Sequence, residues 1–246
     1  MEYLVHLYFY FYLKKVEIQS PITTIPANSF SNCQQLTQIL MPSSITKIDI
    51  SAFNRCKSLK QIEIPSSVNL ISDYAFYNCC SLNFIIIPSS VTIIKRFCFS
   101  GCSMLQKIKI PSSVVSIEDF AFEGCFQLSE ISFPSKIKNI NKNAFCGCSS
   151  LKEITIPNSV KSIGTSAFEG CSSLFVVSLS QSLRSIGNYC FKDCVSLEQI
   201  SFPESFKSIG FGAFEGCDSL QIVSVPESLD LVESGIDDDY VEIDRF

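Results

Sequence analysis

A 23-residue unit repeats without insertion or deletion from Gln19 to Val225, and this period constrains the fold more than any other feature of the sequence. Nine copies match at three positions, which carry phenylalanine, then cysteine three residues later, then leucine three residues after that. The phenylalanines are Phe30, Phe53, Phe76, Phe99, Phe122, Phe145, Phe168, Phe191 and Phe214, and each is followed by its cysteine and leucine. A fixed period of this length indicates a solenoid, in which each repeat is one coil and neighbouring coils share a core.

The end of each unit predicts a short β-strand. In one copy, the sequence Leu-x-x-Ile-x-Phe that ends at Phe133 has the spacing of the parallel strands on the concave side of leucine-rich repeats. Alternation along a strand turns Ile131 and Phe133 inward and leaves Glu130 and Ser132 facing solvent. Pro134 then ends the strand, because proline has no N–H to give to a β-ladder, and most copies carry a proline at this place.

The return side of each coil predicts one helical turn. In the same copy, Val114, Ile117, Ala121 and Phe122 follow one another at spacings of three, four and one, which suit a single turn of helix. A glycine, asparagine or aspartate stands before most repeat cysteines and predicts a left-handed cap, whereas Arg55 at this place is expected to be mildly strained.

The fold class that follows is an α/β-type leucine-rich repeat solenoid. It is a right-handed coil with a parallel sheet of short strands on the concave face, and with short helical turns or irregular segments on the convex side. Residues 1–18 form an atypical N-terminal partial repeat or cap, residues 19–225 the nine repeats, and residues 226–246 a partial repeat with an acidic C-terminal tail.

Charge is distributed unevenly along the chain. Residues 227–246 contain eight acidic residues and one arginine and carry a net charge of -7, so the rest of the chain is +2. Such an array has no basic field strong enough to bind nucleic acid. The acidic tail also lacks the regularly spaced ligands of a calcium loop, which favours a solvated cap or a frayed end.

Most of the thirteen cysteines belong to the period, which favours a packing role for them. Cys98 and Cys190 replace an alanine of the other copies, so they too are interpreted as small buried residues. The alternatives are disulfide bridges along the ladder and metal-binding pairs such as Cys98 with Cys102. Cys80 and Cys146 fall at variable positions and are the candidates for reactive thiols.

No catalytic motif is evident in the sequence. The single histidine, His6, lies in an apolar segment, and there is no phosphate-binding loop, dinucleotide fingerprint or zinc-protease motif. We therefore expect no enzymatic activity, no cofactor, no metal and no small-molecule substrate. The apolar segment Tyr3–Leu13 is too short to span a membrane and lacks the cleavage site of a signal peptide.

Binding to other proteins is the function that remains, and the solvent-facing strand positions are the place to look for it. Most of these positions are polar, but two groups interrupt the pattern. The candidate binding residues are Phe84 and Ile86 beside Lys107 and Lys109, together with Phe175 and Val176. Exposed apolar residues next to cations resemble an interface anchor, although isolated surface hydrophobes are also normal.

The repeat unit also resembles a known family. The pattern I-P-S-S-V-x-x-I-x-x-x-A-F-x-G-C-x-S-L-x-x-I, as in Ile110–Ile131 or Ile156–Val177, is similar to the BspA-like leucine-rich repeats, including those expanded in parasitic protists. This resemblance spans residues 19 to about 232. It implies a surface-antigen or adhesion-type protein at the cell surface that binds host or neighbouring-cell proteins. The missing signal peptide and membrane segment favour the alternative, an intracellular leucine-rich repeat scaffold or regulatory interaction protein in the cytoplasm.

Overall fold

The computed structural model describes residues 12–236 and 241–246 as a stack of coils built from short parallel strands. His6, most of the apolar segment Tyr3–Leu13 and residues 237–240 of the acidic tail lie outside the described residues. The strands in chain order are β1 Lys15–Glu17, β2 Thr24–Ile25, β3 Gln38–Leu40, β4 Lys47–Ile48, β5 Gln61–Ile62, β6 Leu70–Ile71, β7 Phe84–Ile85, β8 Ile93–Ile94, β9 Lys107–Lys109, β10 Ser116–Ile117, β11 Glu130–Ser132, β12 Asn139–Ile140, β13 Glu153–Thr155, β14 Ser162–Ile163, β15 Val176–Ser178, β16 Ser185–Ile186, β17 Gln199–Ser201, β18 Ser208–Ile209, β19 Ile222–Val225 and β20 Glu242–Arg245.

These strands form two rows. The odd-numbered strands from β1 to β19 make the first row, in which β1–β3, β5–β7, β9–β11, β13–β15 and β17–β19–β20 are the hydrogen-bonded groups. The even-numbered strands from β2 to β18 make the second row, as one sheet of three strands and one of six. Every pair before the last is parallel and offset by one 23-residue period, as in Gln61 opposite Phe84. The β19–β20 pair places Ile222 opposite Glu242, so a strand 20 residues further along the chain closes the first row.

The repeated phenylalanines stack in the interior along the whole array. From Phe53 to Phe214 each side chain is at most 1% exposed. Neighbouring rings, from the Phe30–Phe53 pair to the Phe191–Phe214 pair, have centroids 5.2–5.6 Å apart and nearly parallel planes. Aromatic pairs favour such offset stacking. The phenylalanine column is therefore the continuous part of a core that all coils share.

The helical turn predicted for the return side is wrong, because the described residues contain no helix. Ile117 lies in β10, and the segment from Phe120 to Gly124 is a run of turns with positive φ at both of these residues. The N–H of Phe122 donates to the carbonyl of Ala144 in the next coil, at 2.8 Å, where a helix would need a bond within its own segment. Spacings of three and four also arise when a chain turns in short steps, and periodicity alone does not separate the two cases.

The left-handed cap before the repeat cysteine is confirmed. Positive φ occurs at the glycine, asparagine or aspartate of each coil, and Arg55 adopts it too, with φ of 60°. A second left-handed position four residues earlier was not predicted. Its occupants include Tyr74, Phe97 and Phe120, whose bulk makes this backbone conformation uncommon.

The cysteines of the ladder are buried free thiols, and the packing role predicted for them is confirmed. They also act as donors, which the sequence did not indicate. The thiol of Cys125 donates to the carbonyl of Phe99 at 3.2 Å, and the N–H of Cys102 donates to the same oxygen at 3.1 Å. Eight successive thiols repeat this bond at 3.1–3.3 Å. Cysteine thus fills a small space and satisfies a buried carbonyl.

Serine hydroxyls provide a second set of bonds between coils. Two residues after the strand-ending proline, Ser67 donates to the carbonyl of Ile45 at 2.6 Å, and Ser113 to that of Val91 at 2.6 Å. These hydroxyls satisfy backbone carbonyls of the neighbouring coil in the turn. Lys136, which replaces the serine in one coil, is exposed.

Removing one ring from the phenylalanine column should destabilise the array strongly. Phe122 is fully buried between Phe99 and Phe145, with centroid distances of 5.4 and 5.2 Å. We expect Phe122→Ala to lower the free energy of unfolding by about 3–5 kcal/mol, as for other buried aromatic residues. Equilibrium unfolding in urea would measure this loss, and a value below about 1 kcal/mol would contradict the assignment of the inward face.

The buried thiols should make stability fall at alkaline pH. Burial raises the pKa of Cys33 and Cys217 to about 12, whereas an unfolded cysteine has a pKa of about 8.5. Because the folded pKa is the higher one, the neutral thiol stabilises the fold fully below about pH 8.5, and this stabilisation is lost as the pH rises towards about 12. Urea unfolding under reducing conditions should show a constant free energy near neutrality and a steep loss above about pH 9.

A matched variant separates the thiols from other alkaline effects. Cys98 and Cys190 are buried in the place that alanine fills in other coils. Replacing both with alanine should change stability little at pH 7 and should reduce the alkaline loss, because two fewer thiols ionise in the unfolded chain. Stability that does not fall up to about pH 10 would contradict the linkage.

Candidate interaction surface

The outward side chains of the first row form one continuous surface, which we call the front face. Two positions per coil contribute to it, one on each side of the inward strand residue. The first position carries Gln38, Gln61, Phe84, Lys107, Glu130, Glu153, Val176, Gln199 and Ile222, and the second carries Leu40, Glu63, Ile86, Lys109, Ser132, Thr155, Ser178, Ser201 and Ser224. Most are polar, so the large apolar side chains among them stand out.

Phe84 and Ile86 are the most exposed apolar pair on the front face. They are 53% and 65% exposed, although Ile85 between them is buried. Lys107 and Lys109 lie on the adjacent strand β9, so the structure brings these four predicted residues together. A side chain left this open loses a hydrophobic contribution that burial against a partner would recover.

The two lysines differ in their surroundings. The Nζ of Lys107 lies 2.8 Å from Oε1 of Glu130 on the next strand, whereas Lys109 forms no salt bridge within the described part of the chain. Strands β9 and β11 border an open groove of about 700 Å³, and Glu153 and Thr155 line its far side. Lys107 is therefore paired with an acidic neighbour, whereas Lys109 presents its charge without such a partner among the described residues.

The second predicted spot is larger than the sequence indicated. Phe175 and Val176, 46% and 39% exposed, border a depression of about 270 Å³ together with Ile222, which is 40% exposed. Ile222 lies two periods beyond Val176, on β19, with Gln199 between them. The sequence period was sufficient to group Val176 with Ile222, because positions 46 residues apart occupy the same outward column of the front face.

An aromatic cluster on the turn side was not predicted. Tyr74, Phe97 and Phe120 stack with centroids 4.6 and 4.5 Å apart, and Nζ of Lys142 lies 5.8 Å from the ring of Phe120. Their ring faces are occupied by one another, and each side chain is half-buried. This arrangement stabilises left-handed positions on adjacent coils, so the front face offers the more open apolar surface.

The two variable cysteines are less open than the sequence suggested. Cys80 and Cys146 are both half-buried, and burial raises the pKa of Cys146, which lowers its thiolate fraction at neutral pH. Within residues 12–236 and 241–246, no group of three or more His, Cys, Asp or Glu is arranged to hold a metal ion. In the same residues, no helix has the length and hydrophobicity of a membrane span.

Comparison with known sequences decides the family. A sequence model described as the BspA type leucine rich repeat region, with six copies, matches residues 6–118, 69–179 and 139–236. The chain belongs to the BspA-type leucine-rich repeat family. These overlapping matches cover nearly the whole array, which agrees with the fixed register of phenylalanine, cysteine and leucine. Among curated proteins, none matches the chain significantly.

Several bacterial proteins have solved structures that are similar to this chain. A leucine rich cell surface protein from Faecalibacterium prausnitzii is 29% identical, with a TM-score of 0.59, over 95% of this chain and 73% of that one. The leucine rich repeat protein of T. pallidum is 35% identical, with a TM-score of 0.63, over 65% of this chain and 78% of that one. The pneumococcal vaccine antigen PcpA, at 19% identity and a TM-score of 0.50 over 95% of this chain and 62% of that one, shares the fold.

Proposed function

We propose that this BspA-type protein is a non-enzymatic, protein-binding repeat protein that uses its front face. The observation that carries the proposal is the exposure of Phe84 and Ile86 on a face whose other outward positions are mostly polar. Large exposed apolar side chains with a charged rim are typical of interface anchors. The depression bordered by Phe175, Val176 and Ile222 supplies a second contact on the same face.

We further propose a surface-antigen or adhesion role, in which the partners are host or neighbouring-cell proteins. The similarity to a leucine rich cell surface protein of F. prausnitzii, which aligns with 95% of this chain, supports this role. A second candidate is an intracellular leucine-rich repeat scaffold in the cytoplasm. The free state of the thirteen cysteines favours it, because oxidising compartments promote disulfides.

Binding through the front face can be tested by affinity capture with a paired set of variants. Phe84→Ser with Ile86→Ser should leave the free energy of unfolding within about 1 kcal/mol of the original chain, since both side chains are exposed. Retention of a specific partner should nevertheless fall by about tenfold or more, because the anchors are lost.

The control for this capture is Phe126→Ser. Phe126 is 52% exposed but lies outside the front face, so the variant removes a similar apolar side chain elsewhere. It should retain the partner as well as the original chain does. Equal retention by the Phe84 and Ile86 variant would remove this patch from the proposed interface.

The two cellular roles can be separated by protease treatment of intact source cells. If the protein is a surface antigen, the protease should cleave its exposed loops in intact cells. If the protein is intracellular, the same loops should be cleaved only after the cells are lysed. Immunoblotting of treated and lysed cells measures the difference. Complete protection in intact cells would contradict the adhesion role and leave the scaffold role standing.

A further inference from the structure

We propose that the front face around Phe84 and Ile86 receives an amphipathic α-helix of a partner protein, which lies along the row and crosses the strands. The helix places apolar side chains on Phe84 and Ile86, a basic group at Glu63 and an acidic group at Lys109. This inference rests on the proposed protein-binding function and specifies the partner of the same site.

Charge complementarity is the first support. Glu63, Ile86 and Lys109 occupy the same outward position in three successive coils, and the β5–β7 register places the first two side by side. All three are exposed. Within the described ranges, neither Glu63 nor Lys109 forms a salt bridge. The apolar side chain thus lies between an uncompensated anion and an uncompensated cation.

The contrast with the neighbouring column shows that these charges are a particular feature of the site. One position away, Lys107 and Glu130 face each other across adjacent strands and pair at 2.8 Å. Glu63 and Lys109 are separated by the coil of Ile86 and cannot pair in this way. A partner that carries the opposite charges at the same separation would satisfy both.

Spacing selects a helix over an extended segment. Adjacent parallel strands are about 4.8 Å apart, so Glu63 and Lys109 lie about 10 Å apart along the row. A helix rises about 5.4 Å per turn, and its residues i and i+7 lie on one face about 10.5 Å apart, with i+3 and i+4 between them. An extended segment covers that distance in about three residues, which puts its two end side chains on opposite faces.

The test is selection from a displayed library of helical peptides of about 18 residues, which is long enough for a stable helix in water. The positions on one helix face are randomised, and the library is selected on the original chain, on Glu63→Lys and on Lys109→Glu. The original chain should enrich peptides with one basic and one acidic residue at i and i+7, in either order, around apolar residues at i+3 and i+4.

The variants should change the selected charges in a defined way. Glu63→Lys presents two cations and should enrich two acidic residues, whereas Lys109→Glu presents two anions and should enrich two basic ones. Matched peptide and protein charges should improve Kd by about tenfold over mismatched ones in fluorescence anisotropy. Lys161→Glu, an exposed charge change next to β14 of the second row, should enrich the same peptides as the original chain.

The outcomes separate this inference from the proposed function. Enriched peptides that keep the same charges on all variants, or that bind equally after Phe84→Ser with Ile86→Ser, would overturn the helix inference. The absence of any enriched helical peptide, with partner capture still dependent on Phe84 and Ile86, would also overturn it and would leave protein binding intact. If no helical peptide is enriched and partner capture does not depend on Phe84 and Ile86, the proposed function is overturned as well.

Discussion

The structure depends on the alignment of each coil with the next, because many backbone N–H groups of a coil find their partners 22–24 residues away. The strands pair in the two rows, and the turn segments pair as well, as in the bond from Phe122 to Ala144. A buried backbone group without a partner is costly, so an insertion of one residue would disrupt several bonds at once. This requirement explains why nine copies keep one length while their exposed residues vary.

The strands and the buried positions could be predicted from the sequence, but the hydrogen bonds of the segments that connect the strands could not. The strand Glu130–Ser132, the buried phenylalanine column and the left-handed residue before each cysteine all follow from residue type and spacing. The predicted helical turn does not occur, because every second N–H from Phe120 to Gly124 donates to the next coil. Hydrogen bonds between coils depend on three-dimensional stacking, to which hydrophobic periodicity within one repeat is insensitive. The hydrogen bond from the Cys125 thiol to the Phe99 carbonyl could not be predicted from the sequence for the same reason.

The candidate site was predictable only as a set of departures from the period. Phe84, Ile86 and Lys109 could be placed on one face because alternation fixes the direction of each strand side chain. The pairing of Lys107 with Glu130 could not, since it depends on side-chain conformations across two coils. That pairing changes the electrostatics of the face, because it leaves Lys109 as the uncompensated cation. The buried residues of the face repeat from coil to coil, and the outward residues that depart from the period give each part of it a different apolar or charged character.

The turn segments have a further electrostatic consequence. In one coil, the backbone N–H groups of Phe120, Phe122 and Gly124 point to carbonyls of the following coil. In the same coil, the N–H groups of Val115 and Glu118 point to carbonyls of the preceding coil. Peptide dipoles in the two directions oppose each other, so the coils, like the strands of a β-sheet, build up little net dipole along the solenoid axis. An additional coil therefore lengthens the array without strengthening a field at its ends, whereas an additional turn extends the dipole of an α-helix.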